Sequence, residues 1–262
     1  MEAVAEKNEP IHRLEVCCGD SASVLAAMAG GAERIELCSG LSDGGLTPSA
    51  GTIEFAVNSG LREVNVLIRP RPGDFLYSDY EASLMERDIE LAVRSGSTGV
   101  VIGALTPDGD VDKEVCERLI SKARSVNPGT HVTFHRAFDL VRNPEESLED
   151  VIDLGCDCIL TSGLAPTALA GTGMLHKLVD LAAGRIAIMA GCGVSPGNAE
   201  TIITESGVDI IHSTARGPVA SRMRFRRTDV PMGAPGTDEY TRLSTSPKIV
   251  EKLLEITKRT IP

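Results

Sequence analysis

Eight short runs rich in valine and isoleucine, each followed by a stretch with helical character, restrict the fold of this chain more than any other feature. The runs cover residues 13–18, 34–39, 63–70, 99–105, 131–138, 158–163, 185–193 and 209–216. Most of them lack polar–apolar alternation, which is typical of parallel strands that are covered on both faces. Eight strand–helix units in 262 residues predict one α/β domain, a parallel eight-stranded (β/α)8 TIM barrel. The alternative is a doubly wound open sheet, which usually has fewer strands.

The segments between the runs carry helix signals. Ser195 followed by Pro196, and Thr47 followed by Pro48, are typical of helix starts. Glycines placed just before the next strand are typical of helix ends. These signals predict helices over residues 20–29, 47–59, 79–95, 112–126, 144–154, 175–183, 195–205 and 247–260.

The two ends of the chain differ from this repeat. Residues 1–11 are predicted to form a polar arm, and residues 12–262 to form the barrel domain. Residues 217–246 show no clear helix pattern and are predicted to form a long loop after strand eight. That loop contains a basic run from Arg222 to Arg227. We interpret the run as a solvated edge or a subunit contact in a homo-oligomer, rather than as an anion-binding segment across the barrel mouth.

Composition excludes several classes of partner. The net charge of −11 argues against duplex nucleic acid and against an anionic membrane surface. Aromatic residues make up only 3% of the chain, so stacking platforms for single-stranded nucleic acid are not expected. No apolar run is long enough to span a membrane, and the first ten residues do not look like a secretory signal. Together with seven cysteines, this predicts a cytoplasmic protein with free thiols.

Side-chain alternation along the strands predicts a polar site at the barrel mouth. Glu15 shares a strand face with Cys17, and Glu36 shares one with Cys38 in a matching segment 21 residues later. In TIM barrels, functional groups lie at the carboxyl ends of the strands. The residues predicted to converge there are Glu15, Cys17, Glu36, Cys38, Arg69, His135, Thr161 and His212. The candidates for acid–base catalysis are Glu15, Glu36, His135 and His212.

A second group of residues predicts an anion site at the same mouth. Arg69 and Arg71 end strand three on one face, and guanidinium groups suit carboxylate or phosphate. The glycine-rich turn from Gly191 to Gly193 leads into a predicted helix, and Arg216 follows strand eight. The substrate-binding candidates are therefore Arg69, Arg71, Thr161, Gly191, Gly193 and Arg216. Two alternatives stay open: the turn only caps a helix, and the arginines pair with Glu15 and Glu36 inside the protein.

Other cysteines and histidines are interpreted as structural or as remote from the mouth. Those cysteines are Cys116, Cys156, Cys158 and Cys192, and those histidines are His12, His131 and His176. A cysteine on a strand is more often a small core residue than a ligand.

Several motifs together resemble the copper homeostasis protein CutC family. They are EVC at 15–17, GAERIELCSGL at 31–41, GGLTPS at 44–49, IRPR at 68–71, GDFLYS at 73–78, GALT at 103–106, TFHRAFD at 133–139 and LTSG at 160–163. The resemblance covers roughly residues 12–260 and implies a cytoplasmic TIM barrel linked to copper tolerance. It also implies that Cys17 and Cys38 bind copper(I), a soft ion that selects thiolates. Cys192 stands where glycine is expected.

Three functions remain open at this point. The first is a copper(I)-binding protein that uses Cys17 and Cys38. The second is a TIM-barrel enzyme of unknown reaction that acts on a small anionic substrate, carrying a phosphate or a carboxylate, with Glu and His as acid and base. The third is a site for a harder divalent metal, with ligands from Glu15, Glu36, His135 and His212. Sulfur atoms fixed more than about 5 Å apart would weigh against the first, since metal–thiolate bonds are short.

Overall fold

A computed structural model describes residues 14–230 and 238–260 of the chain. The predicted polar arm over 1–11 lies outside the described residues. Eight parallel strands close into a barrel in sequence order, which confirms the (β/α)8 prediction and excludes the open sheet. The strands are β1 Leu14–Cys18, β2 Arg34–Leu37, β3 Glu63–Leu67, β4 Gly99–Ile102, β5 His131–Phe134, β6 Cys158–Thr161, β7 Ala187–Ala190 and β8 Ile210–Ser213.

A helix lies between each pair of successive strands, and a last helix closes the described chain. The helices are α1 Ser21–Ala29, α2 Ala50–Val57, α3 Asp79–Arg94, α4 Lys113–Val126, α5 Pro144–Asp153, α6 Thr172–Ala182, α7 Ala199–Ser206 and α8 Pro247–Thr260. Short 3-10 helices occur at Leu41–Asp43 and Arg136–Leu140. Helix α3 begins with a capping box between Ser78 and Glu81, in which each side chain satisfies a free backbone N–H of the first turn.

The predicted start of α7 at Ser195 is wrong by four residues. The backbone N–H of Ser195 donates to Oδ1 of Asn198 at 2.8 Å, and Nδ2 of Asn198 donates to the carbonyl of Gly193 at 2.9 Å. The Asn198 side chain thus closes a separate turn, and the helix begins only at Ala199. The Ser-Pro pair therefore belongs to the turn and not to the helix.

The main apolar core lies between the barrel and its helices, and the barrel interior combines polar groups with two smaller apolar clusters. The outward strand residues form the main core with the helices; among them are Val16, Ile35, Leu37, Val64 and Val66. The buried inward residues of the first strands include the apolar Leu67, but most are polar or sulfur-bearing: Glu15, Cys17, Arg34, Glu36 and Asn65. Burial of charged groups is costly unless they are paired, so each of these needs a partner inside the barrel.

Strand register sets the level of each inward side chain. Glu15 of β1 is in register with His212 of β8, whereas Cys17 of β1 is in register with Glu36 of β2. Glu36 is in turn in register with Asn65 of β3. Glu36 therefore lies level with Cys17, one pleat nearer the carboxyl ends of the strands than Glu15.

The prediction of one long loop over residues 217–246 is wrong at both ends of that range, where the structure has strands. Strand β9 Arg216–Ala220 pairs antiparallel with strand β10 Thr241–Thr245 as a separate two-stranded sheet. The sheet lies against α1, where Arg242 Nη1 is 3.4 Å from the Asp20 carboxylate. The basic run from Arg222 to Arg227 is exposed. Within the described residues, no helix is long and apolar enough to cross a membrane.

Candidate functional site

A cavity of about 520 Å³ opens at the carboxyl ends of the strands, where the sequence predicted the site. Many of the predicted site residues line it: Cys17, Glu36, Arg69, His135, Gly193, His212 and Arg216. The lining does not include the other predicted residues, which are Glu15, Cys38, Arg71, Thr161 and Gly191. The lining also contains residues that the sequence reasoning did not select, among them Phe75, Arg136, Asp139 and Cys192.

Two thiols lie together beside the cavity, and Cys17 is the one that lines it. The Sγ atoms of Cys17 and Cys38 are 3.7 Å apart, and the two side chains are 3% and 1% exposed. The Cys17 thiol donates to Glu36 Oε1 at 3.3 Å, while the Cys38 thiol can donate to the Cys18 carbonyl at 3.6 Å. The hydrogen bond with Cys38, burial and the nearby Glu36 all raise the pKa of Cys17. Without a metal, Cys17 is therefore a protonated thiol.

Glu15 lies below the cavity and has no contact with it. Its carboxylate accepts from Arg34 Nε at 2.7 Å and from Asn65 Nδ2 at 2.9 Å, and it lies 3.0 Å from His212 Nδ1. Burial alone would raise the pKa of Glu15, but Arg34 and His212 hold it well below its usual value. Glu15 was predicted as a catalytic candidate, yet it is fully buried and its partners leave it no access to a substrate.

Glu36 and His212 face the cavity from the same side as the thiols. His212 Nε2 is 4.0 Å from Glu36 Oε1. Burial raises the pKa of Glu36, and the charge of Glu15 raises it further. Burial lowers the pKa of His212, but Glu36 and Glu15 outweigh it, so the net shift is upward. Together with Cys17, these residues offer three possible ligand atoms that all lie within 4.8 Å of one another.

This trio differs from the divalent-metal set that the sequence left open. Cys17 takes part in it, whereas Glu15 and His135 do not. Glu15 already has its partners below the cavity, and His135 lies beside Phe75, with ring centroids 4.9 Å apart.

The two predicted arginines have different surroundings. Arg69 lines the cavity and donates from Nη1 to the carbonyls of Asp43 and Gly45, both at 2.8 Å. Arg71 lies outside the cavity, where its Nε contacts Glu81 at 2.5 Å and its Nη2 contacts Asp74 at 3.0 Å. The alternative in which these arginines pair with Glu15 and Glu36 is wrong, because Arg34 is the partner of Glu15.

Comparison with known proteins assigns the chain to a family. A family model described as the CutC family matches residues 12–217. The chain belongs to the CutC family. A family protein CutC from Chromobacterium violaceum is 48% identical over 242 residues, covering 92% of this chain and 96% of that protein. The copper homeostasis protein cutC homolog of Homo sapiens is 44% identical over 246 residues, covering 94% of this chain and 89% of that protein.

A solved structure agrees with this assignment. The crystal structure of the copper homeostasis protein CutC from Streptococcus agalactiae matches with a TM-score of 0.71 and 33% identity, covering 78% of this chain and 99% of that chain. The predicted membership of the CutC family is thus confirmed. The family match ends at residue 217, so the basic run between β9 and β10 lies beyond it.

In this CutC family chain, Thr161 and Gly191 lie outside the cavity lining and have close contacts with their neighbours. The Thr161 hydroxyl is fully buried and donates to Asp139 Oδ1 at 2.5 Å.

A Cβ on Gly191 would lie 2.5 Å from Leu160 Cδ1, so the strand end needs glycine for close packing. The next residue, Cys192, has a φ of +81°, a left-handed conformation that explains why glycine is expected there. Because α7 begins only at Ala199, the turn does not lead directly into a helix N-terminus.

Two polar residues of the site were missed by the sequence reasoning. Arg34 and Asn65 both donate to Glu15 and are both buried. The signal was present, because Arg34 shares the inward face of β2 with Glu36 by the same period of two. Cys192 also lines the cavity and is partly exposed, so the prediction that it is only structural is revised. The predicted structural cysteines Cys116, Cys156 and Cys158 are buried.

Proposed function

We propose that the protein binds copper(I) between Cys17 and Cys38. The observation that carries this proposal is the separation of 3.7 Å between their sulfur atoms. With metal–thiolate bonds of about 2.3 Å, as for zinc, and an angle near tetrahedral, two thiolates on one ion lie roughly 3.8 Å apart. The thiols are therefore already spaced for one ion. Copper(I) is a soft ion, and a pair of thiolates is the donor set that it prefers.

The surroundings of the thiols fit an ion that arrives through the cavity. Thiolates are the metal-binding form, so the thiol protons must leave when the ion binds. Glu36 accepts the hydrogen bond of the Cys17 thiol and also lines the cavity, which makes it the nearest group that can take that proton. His212 lies on the same side and offers a further nitrogen ligand.

Two further observations support handling of copper inside the cell. The human relative of this chain is named as a copper homeostasis protein cutC homolog. All seven cysteines are free, including the close pair, which supports a reducing compartment and the cytoplasm as the site of action. On this proposal copper is the cargo of the protein.

Anaerobic competition between the protein and a chromogenic copper(I) chelator tests the proposal. Cys17→Ser and Cys38→Ser should each weaken copper(I) binding by more than the roughly 10–100-fold that loss of an outer-shell partner costs. Cys116→Ser is the matched control, because Cys116 is also a buried thiol but lies in the core between helices and barrel. Affinity equal to wild type in both site variants would overturn the proposal.

A second candidate function is an enzyme that acts on a small anionic substrate. The observation that favours it is a cavity with Glu36 and His212 on one wall and Arg69 and Arg216 elsewhere in its lining. A carboxyl group and an imidazole facing one cavity are the groups that general acid–base catalysis uses. Turnover of a phosphorylated or carboxylated small molecule that falls in Glu36→Gln would support it. Binding of such molecules without turnover would count against it.

We also propose that the chain forms a homo-oligomer through the segment after β9. Met223 and Phe225 are 60% and 71% exposed there, and they alternate with arginines in a chain whose net charge is −11. A positive segment with exposed apolar side chains suits the acidic surface of a second copy. Light scattering of wild type and of Phe225→Ser tests this, and a monomeric wild type would overturn it.

A further inference from the structure

Three residues in the lining of the cavity each carry a buried hydrogen-bond donor that has no acceptor. The first is on Arg69, which is only 6% exposed. Its Nη2 donates to the Gly73 carbonyl at 2.8 Å and its Nη1 to two further carbonyls, but its Nε is buried without a partner. No carboxylate lies within 4.0 Å of the Arg69 guanidinium among residues 14–230 and 238–260. A buried cation with no counter-charge and a spare N–H indicates a missing anion.

The second donor is on His135, which is 4% exposed. The backbone N–H of Ala137 donates to Nδ1 of His135 at 3.2 Å. Nδ1 is therefore an acceptor, and the ring proton of the neutral imidazole must be on Nε2. Burial and the charge of Arg69 lower the pKa of His135 to about 3, so the ring is neutral near pH 7. The Nε2–H group is buried and has no partner in the described structure.

The third donor is on Arg216, at the start of β9. Its Nε is buried and has no hydrogen-bond partner, and the residue lines the same cavity. No carboxylate of the described residues lies within 4.0 Å of it. The Phe75 ring keeps the first two donors in place, since its centroid is 5.1 Å from the Arg69 guanidinium carbon and 4.9 Å from the His135 ring centroid.

We propose that Arg69, His135 and Arg216 bind the oxyanion group, a carboxylate or a phosphate, of a small organic molecule that occupies the cavity. Each of the three side chains has one N–H group without an acceptor, and an oxyanion supplies several acceptor oxygens with the charge that the arginines lack. His135 contributes as a neutral donor, so it can hold an oxygen without giving up its proton. The cavity volume of about 520 Å³ is within the usual size range of small-molecule sites.

This subsite does not depend on copper binding. It rests on the second proposed function, in which the cavity receives an anionic molecule. Copper(I) gains nothing from two guanidinium groups, because cations are repelled by them. The subsite also replaces the anion site that the sequence predicted, which used Arg71 and the Gly191 turn. Arg71 is engaged by Glu81 and Asp74 outside the cavity and contributes nothing to it.

Titration calorimetry with inorganic phosphate and, separately, with malonate tests the subsite. His135→Phe and Arg216→Gln should each weaken binding of the preferred probe by about tenfold or more, as expected for loss of a charge-assisted hydrogen bond. Arg71→Gln is the matched control and should bind like wild type. Arg69 is left intact because its Nη atoms hold three backbone carbonyls, and its loss would disturb the loops themselves. Tighter binding of phosphate or of malonate identifies the ligand class, and either result supports the subsite.

Two outcomes would overturn the proposal, and they differ in what else they overturn. If wild type binds a probe and both cavity variants bind it equally well, the subsite is wrong while the second proposed function stands. If wild type binds neither probe, both the subsite and the second proposed function are wrong.

The ¹⁵N shifts of the His135 ring give a direct readout, because they should show a proton on Nε2 and a change at that nitrogen when the probe binds. Copper(I) affinity in His135→Phe should equal that of wild type, which separates this subsite from the thiol pair.

Discussion

Glu15 and Glu36 stand at equivalent positions of two matching segments, each two residues before a cysteine, yet the barrel gives them opposite environments. Glu15 contacts Arg34, Asn65 and His212 and has no exposed surface. Glu36 accepts one hydrogen bond, from the Cys17 thiol, and lines the cavity. The pKa of Glu15 is lowered and that of Glu36 is raised. The two carboxyl groups therefore differ in how many buried partners they have and in whether they face the cavity.

Strand register is the origin of this difference. Glu36 is in register with Cys17, so it lies one pleat closer to the cavity than Glu15 does. The side chains of Arg34 and Asn65 extend to Glu15, although Asn65 is in register with Glu36. At the upper level, the only hydrogen bond to the Glu36 side chain from the described residues comes from a thiol, a weak donor. The same local sequence therefore gives a fully paired carboxyl group on one strand and a sparsely bonded one, facing the cavity, on the next.

The largest expected effect is on stability, and it should separate the two glutamates. Glu15→Gln removes the charge that neutralises Arg34 and His212, and breaking a buried ion pair costs about 3–5 kcal/mol. Glu36→Gln removes a carboxyl group whose charged form is disfavoured by burial, so at pH 7 it should leave the free energy of unfolding unchanged or raise it. Urea unfolding of both variants at pH 7 measures the difference. Equal losses in the two variants would contradict the distinction drawn between them.

A smaller effect should appear in the acid range, with opposite signs for the two groups. The pKa of Glu15 is lowered in the folded state, so its contribution is present above the unfolded value of 4.5 and is lost as pH falls below it. The pKa of Glu36 is raised, so its contribution is present at low pH and is lost as pH rises through the folded value. A tenfold difference in proton affinity between the folded and unfolded states changes the free energy of unfolding by about 1.4 kcal/mol.

Urea unfolding between pH 3 and pH 6 measures this prediction, because His212, with its own raised pKa, stays protonated in that range. The stability advantage of wild type over Glu15→Gln should shrink as pH falls below 4.5. Glu36→Gln should gain stability relative to wild type as the pH rises above the unfolded value of 4.5. Parallel pH curves for wild type and both variants would show that neither carboxyl group has the pKa described for it.

The sequence predicts which strand faces carry the site. It does not predict how far along the barrel axis each side chain lies. Eight valine-rich runs and the period of two were enough to give the barrel and to place Cys17, Glu36, His135 and His212 at the mouth. The stagger between strands is set by closure of the barrel and leaves no local mark, so the sequence did not show that Glu15, a candidate for catalysis, lies outside the cavity lining. Arg71 was misplaced for a related reason, since the alternation that includes Arg69 stops applying once β3 ends at Leu67.

The smallest expected effect concerns the one hydrogen bond that distinguishes Glu36. The Cys17 thiol lowers the pKa of Glu36 against the larger effect of burial. Cys17→Val removes the donor while filling its space, so the pKa of Glu36 should rise further, by less than about 1 for a single uncharged hydrogen bond. Carboxyl ¹³C titration by NMR measures it, with the Glu36 signal assigned from its loss in Glu36→Gln. Cys38→Val keeps that donor and should leave the Glu36 pKa unchanged, as both variants should leave Glu15, which neither thiol contacts. A Glu36 pKa that stays constant in Cys17→Val would mean that the thiol does not donate to this carboxylate, and that the pKa values of the two glutamates differ through their other partners, above all Arg34.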